Sequence, residues 1–124
     1  MVASTALFPT PASLKPEATA FDLKTRLDWG EPALTIIDIR TRSAFNQSHI
    51  MGAVPLLPEE LIARASAMLE NERDIYIYGD SAEQAAAAAA QLREVGFLNV
   101  AELKGGLPAW KAAGGAIEGY TAAL

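Results

Sequence analysis

Four polar side chains that could do chemistry, Asp80, Ser81, Glu83 and Gln84, stand just after the apolar run Ile75-Tyr76-Ile77-Tyr78, with Gly79 between and Ala82 among them. Three kinds of chemistry fit these types and this spacing. Ser81 is a nucleophile if a base reaches its hydroxyl. Asp80 and Glu83 are a carboxylate pair that could attract a cation or move a proton. A loop that leaves the carboxyl end of a strand and enters a helix also turns free backbone N–H groups toward a ligand, as open α/β sheets do. Plainer readings compete with each. Ser81 with Gln84, or Asp80 with Glu83, has the spacing of a capping box, and a cap alone accounts for these residues. The single histidine, His49, is read as a hydrogen-bonded loop anchor, so Ser81 has no evident base. Two carboxylates without a third ligand are weak evidence for a metal, and neither metal nor cofactor is expected.

Other reactive types are read the same way. Asp38 and Arg40 end an apolar run on the side of the loop and could touch a substrate, but a half-buried Asp beside an Arg more often holds a loop in place. Trp29 and Trp110 are expected to pack on the core. Tyr76 and Tyr78 are expected to divide, one in the core and one at the surface.

The elements that must position the loop follow from periodicity. Residues 34–39 and 75–78 lack the alternation of a half-exposed strand and read as neighbouring buried strands of a parallel sheet. Residues 82–95 repeat small apolar side chains at helical spacing, with Gly96 placed to end the helix in a left-handed conformation. Thr19 or Asp22 caps a helix to about residue 27, burying Phe21, Leu23 or Lys24, and Leu27. A short edge strand is expected over 53–56 because Pro55 and Pro58 limit its pairing. Pro58-Glu59-Glu60 opens a helix that buries Leu61, Ile62, Ala65, Met68 and Leu69. A last strand spans 99–103, and a helix begins at Pro108. The alternation predicts an α/β domain with a mainly parallel sheet of four to five strands and helices on both faces. Residues 1–18 are expected to be a flexible leader, 19–119 the domain and 120–124 a tail.

Composition narrows the function. There is room for one domain in 124 residues, and no cysteine occurs among them, which excludes disulfides, thiolate metal sites and a thiol nucleophile. With 15 acidic against 10 basic residues and no basic cluster, no nucleic-acid partner is expected. No apolar run approaches the length that spans a bilayer, so no membrane partner is expected and a soluble, cytoplasmic protein is the default.

Three blocks together resemble the rhodanese-like family. They are Ile36-Ile37-Asp38-Ile39-Arg40 with Phe45 and His49-Ile50-Met51-Gly52-Ala53; Tyr76-Ile77-Tyr78 before the loop; and Gly96-Phe97 with Leu103-Lys104-Gly105-Gly106-Leu107-Pro108-Ala109-Trp110. The resemblance covers about residues 19–117 and rests on the order and spacing of the blocks. It implies the three-layer rhodanese-like fold. It also implies that active relatives carry a sulfur-accepting cysteine directly after the strand, in a loop with an arginine and backbone amides that cradle an anionic sulfur donor. Counting back from Gly96-Phe97 puts Gly79 at the cysteine position and Gln84 near the arginine, while a shift of one residue puts Asp80 there. Ala44 and Ser48 depart from the acidic residue and glycine that the family often has.

The residues argue for inactivity beside the resemblance. A persulfide needs a thiol, and Asp74, Asp80 and Glu83 are the only charges between Arg73 and Arg93, a field wrong for an anion. The expectation is therefore a catalytically inactive rhodanese-like domain, a sulfurtransferase homologue acting as a binding or regulatory module. Its former active-site loop, Gly79, Asp80, Ser81, Ala82, Glu83 and Gln84, would meet an unknown protein partner or small ligand. The rival is a sulfurtransferase-class or related phosphatase-class enzyme using a site without cysteine.

Overall fold

The computed structural model describes residues 14–30 and 33–120. Five strands, β1 (Glu17–Ala18), β2 (Leu34–Asp38), β4 (Val54–Pro55), β5 (Asp74–Tyr78) and β6 (Asn99–Leu103), form a parallel sheet in the order β1-β6-β5-β2-β4. β2 and β5 are the expected neighbours, in register from Leu34 opposite Asp74 to Asp38 opposite Tyr78. Two further strands, β3 (His49–Ile50) and β7 (Ile117–Glu118), pair antiparallel outside this sheet.

Period-two alternation sends each strand's side chains to two cores. Ile36, Tyr76, Tyr78, Ala101 and Leu103 pack with α1 (Ala20–Asp28), with Phe45 of α2 (Arg42–Gln47) and with Leu107 and Trp110 of α5 (Gly106–Ala112). Ile37, Ile39, Ile75, Ile77 and Val100 pack with Leu61 and Ala65 of α3 (Leu61–Met68) and with Ala88, Ala89 and Leu92 of α4 (Ala82–Glu94). Helices thus cover both faces, as expected. The small side chains of α4 let it lie close on the sheet, and Gly96 ends it at φ +109°.

Several expectations are corrected. Tyr76 and Tyr78 are both buried, because residues two apart on a strand share a face. Trp110 is in the core, donating from Nε1 to Ala116 O at 2.8 Å, but Trp29 is 80% exposed beyond the end of α1. Thr19, not Asp22, caps α1, with Asp22 returning the bond to Thr19 N in a full capping box. Phe21 is 70% exposed because α1 turns Leu23 and Arg26 to the sheet. Arg26 reaches Asp74 at 2.8 Å and Tyr76 Oη at 3.2 Å, which fixes that rotation. Pro58 to Glu60 form a turn rather than a first helical turn, held by Leu57 N donating to Glu60 Oε1 at 3.3 Å. Met68 is half exposed, since the chain becomes extended at Leu69 directly after it. Glu17 and Ala18, read as the end of a leader, form the edge strand β1 against β6.

Ile77→Ala is expected to lower stability to urea by about 2–5 kcal/mol, the cost of emptying a core site that cannot collapse. Phe21→Ala should change it by no more than about 0.5 kcal/mol. Equal losses at the two positions would contradict this placement of α1.

Candidate functional site

The floor of the site is a buried charged pair at the carboxyl end of β2. Asp38 is fully buried, and Arg40 grips it with Nε at 3.0 Å from Oδ1 and Nη2 at 2.6 Å from Oδ2, while Arg40 N also donates to Oδ1 at 2.9 Å. The same Nη2 donates to Ser48 O at 2.7 Å, and the guanidinium lies 5.5 Å from the centre of the Tyr78 ring. Tyr78 Oη accepts from Ile50 N at 3.1 Å. Burial, then the hydrogen bond to Asp38 and the charge of that carboxylate, pushes the Tyr78 hydroxyl well above its ordinary range. These contacts tie the ends of β2 and β5 to the segment from Ser48 to Ile50. The structural reading of Asp38 and Arg40 is the one their geometry supports.

His49 anchors that segment. Its Nδ1 lies 2.6 Å from Phe45 O, its ring stacks on Phe45 at 3.6 Å between centroids, and Nε2 is 3.4 Å from Glu118. It lines neither of the two cavities that touch the loop.

The loop begins where β5 ends, with Ile39 N still donating to Tyr78 O at 3.1 Å. Ser81 is the cap of α4: it is extended (φ −142°, ψ 162°), and Oγ accepts from Gln84 N at 3.1 Å. The capping box is only half made. Gln84 turns its side chain past Ser81 and accepts from Asp80 N at 2.7 Å. Asp80 caps nothing through its carboxylate and is exposed, as are Ser81, Ala82 and Glu83, whereas Gln84 is half-buried. A negative Glu83 in the first turn suits the helix dipole. Among the described residues, no group of three or more metal-binding side chains forms, and no helix is long and apolar enough to cross a membrane.

Two cavities meet at Gly79, Asp80 and Pro108. One, of about 160 Å3, lies between the loop, Ala85 and Leu103 and the glycine turn Gly105-Gly106. That turn takes positive φ at both glycines, +73° and +52°, and a Cβ on Gly106 would stand 3.4 Å from Gly79 O. The other cavity, of about 330 Å3, is bordered by Arg40, Ser48, Leu107 and Lys111. The loop's own charges are not the only ones at this opening. Two cations stand at the rim, brought from distant parts of the chain. Arg40 is committed to Asp38 and Ser48 O, whereas Lys111 lines the same cavity as Asp80.

A parallel sheet whose helix-capping loop closes over the carboxyl ends of its central strands defines the class of fold. The chain belongs to the rhodanese-like domain family: the sequence model of that domain matches residues 19–113. It is 35% identical over 88 residues to protein YibN of Escherichia coli (strain K12), the match covering 69% of this chain and 61% of that protein, so the chain spans about three-fifths of this relative. It is 34% identical over 94 residues to a protein named sulfurtransferase from Allochromatium vinosum, covering 76% of this chain and 86% of that one. The crystal structure of the Alr3790 protein from Anabaena sp. is similar with 56% identity and a TM-score of 0.80, covering 82% of this chain and 91% of that one. This chain has no cysteine with which to form a persulfide.

Asp38→Ala is expected to cost about 3–5 kcal/mol in urea unfolding, because it leaves the buried guanidinium of Arg40 unpaired. Asp80→Ala, on the exposed loop, should stay within about 0.5 kcal/mol. A stable Asp38→Ala protein would remove the pair from its place as the floor of the site.

Proposed function

We propose that this domain does not transfer sulfur and acts as a binding or regulatory module, with the loop from Gly79 to Gln84 as its recognition surface. The observation that carries the reading is the absence of any thiol from a chain of this family. A sulfane sulfur needs a nucleophile that can hold it as a persulfide, and neither the Gly79 backbone nor an alcohol such as Ser81 can do so. Ser81 is engaged as a helix cap, and the chain's one histidine is engaged with Phe45. Asp80, Ser81 and Glu83 project from the loop and are free to be read by a protein or small ligand. A pull-down comparing native protein with Asp80→Arg/Glu83→Arg tests this: a partner of the loop should be retained by the first and lost by the second. Equal capture would place recognition elsewhere.

The chemical half of the proposal has its own test. The native protein is expected to form no thiocyanate from thiosulfate and cyanide above background, and sustained turnover would overturn it.

Gly79→Cys should give a thiol that reacts slowly with thiosulfate, while adding Asp80→Arg and Gln84→Arg should speed it measurably. The helix start favours a thiolate by about 0.3–1 kcal/mol. Asp80 and Glu83 oppose that thiolate and repel the dianionic donor within a Debye length of about 8 Å. The arginines reverse the loop's sign and offer forked donors to the sulfonate oxygens. A single variant as fast as the triple variant at low salt would mean that the missing thiol is the only lesion.

A further inference from the structure

Gly79 is not a glycine for the sake of its backbone, since it is absent from the glycines with positive φ. Its bare Cα is a matter of space. A Cβ at position 79 would collide with Gln84 Oε1 and stand 3.1 Å from both Gln84 Cδ and Ile39 Cγ1. The amide oxygen of Gln84 therefore occupies the place into which any side chain at position 79 would point, and from there it accepts the N–H of Asp80 at 2.7 Å.

We infer that Gln84 is an internal plug: its side chain fills the space above Gly79 and takes up the Asp80 amide, and the two positions work as one device in which the missing side chain at 79 makes room for the oxygen of 84. While the plug is seated, the Asp80 amide is closed to an outside acceptor, and a partner meets the loop through its outward side chains. An acceptor that enters must first displace Gln84, which gives the loop a closed and an open state. Gln84 is thus a positioning residue, acting through Asp80 N and the space at Gly79. The inference stands apart from the question of which partner, if any, the loop binds.

The test is amide hydrogen exchange at Asp80, with Ala85 as the control. Ala85 N donates to Ser81 O at 3.2 Å and so reports the first turn of the helix rather than the plug. Gln84→Met keeps the length of the side chain and removes its acceptor; Gly79→Ala keeps the acceptor and takes its space. Each should speed exchange at Asp80 by about fivefold, the equivalent of one net hydrogen bond. The double variant should exchange no faster than either single one, and Ala85 should be unaffected throughout. An unchanged Asp80 rate in Gln84→Met would overturn the inference. So would a double variant whose acceleration is the product of the two single effects, or acceleration of Ala85 by the same factor, which would assign Gln84 to helix stability alone.

Discussion

The loop can exist in its observed form only because the carboxyl ends of β2 and β5 are fastened beneath it, and the fastening is the pair formed by Asp38 and Arg40. A carboxylate with no exposure is costly to bury unless every oxygen is satisfied. Here Arg40 supplies both side-chain and backbone donors, which reach both oxygens. The same guanidinium reaches Ser48 O, and Tyr78 receives Ile50 N, so the cluster around one charge pair joins three segments of the chain. The pair also spends the nearest arginine. A cation used in this way strengthens the scaffold and has little left for a ligand.

Above this floor the loop is held from two sides. Ser81 begins α4 as a cap, and the glycine turn before α5 comes up against Gly79 from the other side. Gly79 has no side chain, and the space beside it is filled by the amide of a residue five positions on. Asp80 and Glu83 leave the loop itself acidic, and Lys111, from α5, lines the larger of the two cavities with Asp80.

Much of the fold was legible because its long elements carry their own signals. β2 and β5 each hold an apolar run, Ile36-Ile37 and Ile75 to Tyr78, β6 is mostly apolar, and α4 is a regular row of small side chains with a serine before it and a glycine after it. The two-residue strands β1, β3 and β7 carry no such pattern; they exist only because distant segments meet them. Phe21 and Trp29 misled for a related reason. The rotation of α1 is set by Arg26 binding Asp74 and Tyr76 across the fold, which no pattern within the helix reveals. At the site, the missing cysteine and the cap were readable from residue types. The plug was not, since Ser81 with Gln84 predicts a reciprocal box, and only the geometry shows the glutamine passing Ser81 to reach Asp80. Nor was Lys111 visible as part of the site, being brought there by the packing of α5.

The central claim is that this loop, lacking a thiol and closed by its own glutamine, does not hold an anionic sulfur donor. Titrating thiosulfate into the native protein while following the backbone amide resonances of residues 79–84 tests it most directly. The account predicts no saturable change at these amides, only the small, unsaturating drift that ionic strength produces across the surface. Saturable shifts centred on Gly79 and Asp80, with displacement of the Gln84 side-chain resonances, would contradict it and show that the cradle still receives the donor.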